Sequence, residues 1–225
     1  FGAETAPVTV DVNAKPFKTL SEYHFFSDNG STQEPNEGVL PYDINTPLFS
    51  DYTAKYRFVW MPKGAPATYD AENAFSFPVG TVLIKTFSYL NDIRDPSKGQ
   101  RLLETRLLVH KPDGWEGFPN VWNEEQTEAT LKVAGGTIDS TWIHYDGQTR
   151  TNDYILPNTN QCKACHENGG KMAPIGPKAR NLNKLFPYAD GEVNQLSKWT
   201  TVGYLTGAPE NPDDAPRVPV WDDPS

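Results

Sequence analysis

The sequence predicts a mainly β fold (α+β), an antiparallel sheet domain with short helices near the N-terminus and around a C-terminal cofactor motif. Three observations carry the prediction. Between residues 56 and 156, β-branched and aromatic residues gather in short runs separated by turn formers. Twenty prolines and seventeen glycines break a chain of 225 residues into many short segments. Helical spacing of apolar residues is clear at only two places, 19–26 and 192–205.

Taken in order, residues 1–16 read as an extended arm with alternation at Val8, Val10 and Val12. Leu20, Tyr23 and Phe26 are spaced for a short helix over 19–26, and 28–50 is rich in turn formers. Strands are then expected at 56–60, 81–89 and 101–111, the last two forming a hairpin around the polar loop 91–99. Further strands fit 117–123, 129–133, 140–145 and 153–156. Val193, Leu196, Trp199 and Val202 form one apolar stripe of a helix over 192–205. From 208 onward, prolines and acids predict an extended tail. The whole of 1–225 reads as one domain with that arm and tail.

The formal charge of −9 argues against nucleic acid and anionic membranes as partners, since both select basic surfaces. No stretch approaches the roughly 20 apolar residues of a membrane span. The chain opens at Phe1 without Met, which suggests a trimmed, mature terminus.

The chemistry is concentrated in Cys162-Lys163-Ala164-Cys165-His166, which holds the chain's two cysteines. Cys-X-X-Cys-His is the attachment motif of a c-type haem. The two thiols add to the porphyrin vinyl groups, and the histidine becomes the proximal iron ligand. A redox Cys-X-X-Cys would follow a strand in a βαβ unit, a pattern absent here. A structural zinc site needs four ligands, and no third cysteine exists to help. One covalent haem c is therefore expected, with Cys162 and Cys165 as thioether donors and His166 as the metal ligand. Covalent attachment in bacteria takes place outside the cytoplasm, so a periplasmic or secreted location is expected.

The motif lies late in the chain, and Met172 is only six residues beyond His166. So short a tether does not carry a side chain around a porphyrin, so the opposite face must come from the N-terminal part, most naturally the sheet. His24, His110 and His144 are candidate sixth ligands, though each type of residue is more often a satisfied or solvent-facing histidine. Met61 is a weaker candidate and reads as packing. The stretch 174–177, opening with Pro174, is expected to wrap the proximal side. A carbonyl there would accept from the free imidazole N–H of His166 and fix its tautomer. Asp51, Glu104 and Arg106 read as a structural polar cluster. Arg106 also suits a haem propionate through its forked donors, with a surface ion pair as the alternative.

The element Phe77-Pro78-Val79-Gly80-Thr81-Val82-Leu83-Ile84-Lys85, followed by paired strands and a terminal haem motif, resembles the cytochrome P460 and cytochrome c′-beta group over 75–170. The resemblance implies an iron that is often five-coordinate, with Lys85 at the position of a lysine linked to the porphyrin in cytochrome P460. It also implies a distal wall around Lys85 and Phe87. On its own residues, Lys85 reads as a solvated strand lysine.

A wider resemblance rests on four blocks: Pro41-Tyr42-Asp43-Ile44-Asn45-Thr46-Pro47-Leu48-Phe49-Ser50-Asp51-Tyr52, Arg101-Leu102-Leu103-Glu104-Thr105-Arg106-Leu107-Leu108, Trp122-Asn123-Glu124-Glu125-Gln126-Thr127, and Pro174-Ile175-Gly176-Pro177-Lys178-Ala179-Arg180-Asn181-Leu182-Asn183. Together they are similar to a bacterial family of extracytoplasmic c-type cytochromes, some of them di-haem, of poorly defined role. The single Cys-X-X-Cys-His here supports one haem.

Three functions are compatible. The first is electron transfer through one haem, with the acidic surface docking a basic redox partner. The second is binding or conversion of a small nitrogen or oxygen species, such as nitric oxide, hydroxylamine or peroxide, at an open iron. The third is a cytochrome module serving a neighbouring dehydrogenase. Ser-His-Asp, P-loop and dinucleotide motifs are absent from the sequence.

Overall fold

The computed structural model describes residues 6–158, 161 and 166–221. Cys162 and Cys165 lie outside the described residues. Strands make up 39% of the structure and helices 11%, so the mainly β class holds. The strands in chain order are β1 (Val39–Pro41), β2 (Ala54–Trp60), β3 (Ala67–Thr68), β4 (Val82–Leu90), β5 (Gln100–Lys111), β6 (Gly114–Trp122) and β7 (Ala129–Leu131). Six of them form one sheet in the order β1-β2-β4-β5-β6-β7, antiparallel throughout. The pair β8 (Gly136–Ile143) and β9 (Thr149–Leu156) makes a separate hairpin. Then come the small hairpin β10 (Glu167–Asn168) and β11 (Lys171–Met172), helix α1 (Ala179–Leu182), strands β12 (Leu185–Tyr188) and β13 (Gly191–Asn194), and helix α2 (Gln195–Thr201). Strand β14 (Leu205–Thr206) returns to pair in parallel with β3.

Strand alternation gives the sheet two unlike faces. On one, Phe58, Ile84, Leu107, Val109 and Trp122 pack under Leu20, Phe25 and the valines of the N-terminal arm as a continuous core. On the other, the core is split. Val59 and Leu83 join Phe75, Leu182, Leu196 and Trp199 at one end. Phe87, Tyr89 and Leu103 meet Trp142, Tyr154 and Leu156 of β8–β9 at the other. Between these clusters runs a row of direct cross-strand partners, Arg57, Lys85 and Arg106. Beyond this row, a register shift between Phe87 and Ser88 makes Leu103 the extra residue of β5. Leu103 then joins the Tyr154 cluster while its neighbour Glu104 bonds the Tyr154 hydroxyl.

The hairpin around 91–99 forms as expected between β4 and β5. The β5–β6 connection is tighter than the sequence suggested. Pro112 and Asp113 turn the chain, and Gly114 at φ 127° takes a conformation that costs a side-chain-bearing residue dearly. The expected 19–26 helix is a single 3-10 turn, Ser21–Tyr23, ended by His24 in the left-handed region at φ 54°. Phe25 and Phe26 are drawn instead into the sheet core. The expected 192–205 helix shrinks to α2, because Gly191–Asn194 pairs as β13 and the Asn194 side chain caps the helix at Leu196 N. Strand β1 lies within the segment read as turns; Pro41 lacks an N–H and suits an edge.

The tail is largely extended but held down. Asn183 Nδ2 donates to the carbonyls of Pro212 and Ala215, and Trp221 N donates to Asn45 O. Among the described residues, no helix is long and apolar enough to cross a membrane.

Candidate functional site

The split in the core is a cavity of about 310 Å³. One wall is the sheet, contributing Arg57, Lys85, Phe87 and Arg106; the other is the C-terminal segment, contributing His166 and Pro174. Five residues singled out from sequence, Lys85, Phe87, Arg106, His166 and Pro174, thus line one space. Leu48 and Ile175, 69% and 44% exposed, form an apolar part of the lining that reaches solvent.

Like charges placed directly opposite on adjacent strands repel. Here flanking groups offset the repulsion. Asp43 accepts from Arg57 Nη1 at 2.6 Å and from Lys184 Nζ at 3.1 Å. Glu104, fully buried, accepts from Arg106 and from the Tyr154 hydroxyl, the latter at 2.5 Å. Burial and the neighbouring carboxylate push the Tyr154 phenol well above its ordinary range. Lys85 alone of the row has no ion-pair partner among the described residues. Its ammonium stands 4.6 Å from the Phe87 ring centre, and the Arg106 guanidinium stands 4.4 Å from the same ring. Burial, then the charges of Arg57 and Arg106, lower the Lys85 pKa to about 7. Lys85 is therefore a half-buried cavity residue and not the solvated strand lysine that its sequence context suggests.

His166 is held by a reciprocal pair of contacts. Its backbone carbonyl accepts from Ala173 N at 2.6 Å, and its Nδ1 lies 3.3 Å from Ala173 O. A carbonyl only accepts, so Nδ1 carries the proton and Nε2 keeps its lone pair. The β10–β11 hairpin brings Ala173 back to His166. The acceptor is one residue before the 174–177 stretch expected to supply it. Burial first, then Lys85 and Arg106, disfavour the imidazolium form, against the pull of the Ala173 carbonyl.

The other candidate ligands are elsewhere. His110 stacks on Trp115 with ring centres 4.5 Å apart, its Nδ1 3.1 Å from Pro78 O. His144 Nδ1 accepts from Trp142 Nε1 at 3.4 Å. His24 ends the 3-10 turn, and Met61 is buried in the core at 2% exposure. Met172 lines a different depression, beside β6. Of the expected polar cluster, Glu104 and Arg106 bond each other, and Tyr154 joins them through its hydroxyl.

Arg57, Asp43, Tyr154 and Lys184 were not picked out as site residues from the sequence. The only signal was charge at alternate positions of a strand, Lys55 and Arg57, which becomes meaningful once the register places it beside Lys85. The blocks singled out earlier do meet in space. Asn45 N donates to Asn181 O, joining the 41–52 and 174–183 blocks at the cavity. Gln126 grips the backbone of Leu102 from both sides, accepting from its N–H at 2.6 Å and donating to its carbonyl at 3.2 Å. That joins the 122–127 block to β5 next to the bulge. Comparison with protein-family models, with curated proteins and with solved structures returns no match.

Proposed function

We propose that this chain is an extracytoplasmic c-type cytochrome of the electron-transfer kind, holding one haem through Cys162 and Cys165 with His166 as iron ligand. The observation that carries the reading is the state of His166: Nδ1 committed to Ala173 O, Nε2 free to ligate, and the ring set in a cavity. The described residues fit the group. The cavity walls are mostly apolar, Phe87 offers a ring surface on the sheet side, and Leu48 and Ile175 extend the apolar lining to solvent. When bound, the haem would supply a redox-active iron. Ala173 orients the imidazole, the aromatic and aliphatic walls exclude water, and the cationic row favours added negative charge in the cavity. Periplasmic or secreted placement follows from the attachment chemistry, and the acidic chain suits a basic redox partner.

A second reading, an iron open to small nitrogen or oxygen species, is favoured by one observation. Among the described residues, His166 is the lone His and no Met lines the cavity. A carbon monoxide-induced shift of the reduced spectrum supports this second reading; a low-spin spectrum unmoved by carbon monoxide supports pure electron transfer.

The test of the haem itself is extraction. The purified holoprotein should carry the mass of one haem that resists acid–acetone, and the Cys162→Ala/Cys165→Ala double variant should release it. Haem that still resists extraction from that variant, or a wild-type chain without haem, overturns the proposal.

A further inference from the structure

The chain carries a formal charge of −9, yet among the described residues the cavity is lined by three cations and no carboxylate. Arg57, Lys85 and Arg106 stand in register on adjacent strands, all on the sheet wall. The acids that accompany them, Asp43 and Glu104, bond two of the three and do not line the cavity. Lys184 takes the other oxygen of Asp43, which leaves still less negative charge to offset the row. Lys85 has no carboxylate of its own among the described residues. Arg57 is 6% exposed, and its Nη2 is buried with no hydrogen-bond partner among those residues. A buried donor left unsatisfied is costly, and more so for a charged group. Arg57 lines the cavity beside the Lys85 ammonium, so this wall favours an anion that enters from the cavity.

We propose that the row Arg57–Lys85–Arg106 binds a small monovalent oxyanion of the nitrite or carboxylate class in the cavity that contains His166. The guanidinium offers planar N–H donors and the ammonium a point charge, a combination suited to two-oxygen anions. Low dielectric in a half-closed cavity strengthens the attraction relative to water. The apolar walls and the volume shared with a larger group restrict the anion to a few heavy atoms. The inference deepens the haem reading and rests on it for the site's second occupant. The same row could otherwise be filled by the haem's own propionates, which share the carboxylate chemistry.

The experiment is an optical titration at pH 6, where Lys85 is protonated, of the ferric, haem-loaded full chain with sodium nitrite, with imidazole, its concentration counted as the neutral form, as the uncharged control. Lys85→Met should raise the nitrite Kd about tenfold or more while moving the imidazole Kd about twofold or less, and Lys85→Arg should restore nitrite affinity. An unchanged nitrite Kd in Lys85→Met, or equal losses for both probes, overturns the proposal. So does a shifted reduction potential with unaltered nitrite affinity, which would assign the row to the propionates. If the chain carries no haem, the cytochrome reading fails on its own. Nitrite is then titrated into the haem-free full chain and followed by the Lys85 and Arg57 amide resonances. Saturable shifts lost in Lys85→Met support the anion site, and their absence overturns it.

Discussion

His166 and Ala173 hold each other twice: Ala173 N donates to the His166 carbonyl at 2.6 Å, and His166 Nδ1 faces the Ala173 carbonyl at 3.3 Å. The six-residue excursion between them is closed by β10–β11, with Gly169 and Gly170 both at positive φ in its turn. The imidazole is thus oriented by backbone, and the ring nitrogen left over is the one a metal would take.

The lowered pKa of Lys85 has a consequence for stability. In the folded chain its ammonium deprotonates near 7, against 10.5 when unfolded. Between those values the unfolded state binds the extra proton, so this group makes stability rise with pH from about 7 toward 10.5. Below about 7 both states are protonated, and its contribution is flat. Urea unfolding of the haem-free chain at pH 6.5 and pH 9.5 should show this rise in the wild type. Lys85→Met should flatten it and be the more stable protein at the lower pH. An identical pH dependence in both proteins would show that Lys85 is not desolvated.

Glu104 is fully buried and accepts from Arg106 and Tyr154. Glu104→Ala should cost about 3 kcal/mol, the lower end of the range for breaking a buried pair, because the Arg106 side chain is 31% exposed and rehydrates in part. Tyr154→Phe, which removes one bond to the same carboxylate, should cost about 1.5–3 kcal/mol. Denaturant midpoints of the two variants check the order.

Asn45 is 1% exposed, and its amide nitrogen donates to the carbonyls of Arg180 and Val218, each at 3.0 Å. Asn45→Ala leaves those acceptors without that donor and should cost about 1–3 kcal/mol. Because Val218 belongs to the tail, the variant should also be cut faster by protease after residue 208. Unaltered cleavage would mean that the tail is held by its other contacts alone.

Trp199 is fully buried on the inner side of α2, with its ring edge-on to Tyr42 at 5.5 Å. Trp199→Ala should lower stability by about 3–5 kcal/mol through the lost transfer energy and the cavity left behind. Thermal or urea unfolding measures it. A cost under about 1 kcal/mol would mean that the cluster around α2 relaxes to fill the space.

The sequence by itself determined the strands β2, β4 and β5, because their apolar and β-branched runs are long enough for periodicity to be read. It also picked out His166, since Cys-X-X-Cys-His is a local pattern whose meaning does not wait on the fold. It placed Lys85, Phe87, Arg106 and Pro174 as candidates, partly by resemblance. It missed β1, where Pro41 hides an edge strand, and overextended both helices, whose ends were settled by sheet pairing and by the Asn194 cap.

Only the tertiary structure decided that Arg57, Lys85 and Arg106 are neighbours. Each comes from a different strand, and nothing local to any one of them fixes the register. A slip of one residue would turn every side chain of a strand to the opposite face. The bulge at Leu103 shifts the β4–β5 pairing by one residue and so sets Lys85 opposite Arg106, while the β2–β4 pairing sets Arg57 opposite Lys85. The cavity and its charge are properties of the assembled sheet: long-range contacts place the three cations together, and no spacing along the chain encodes them.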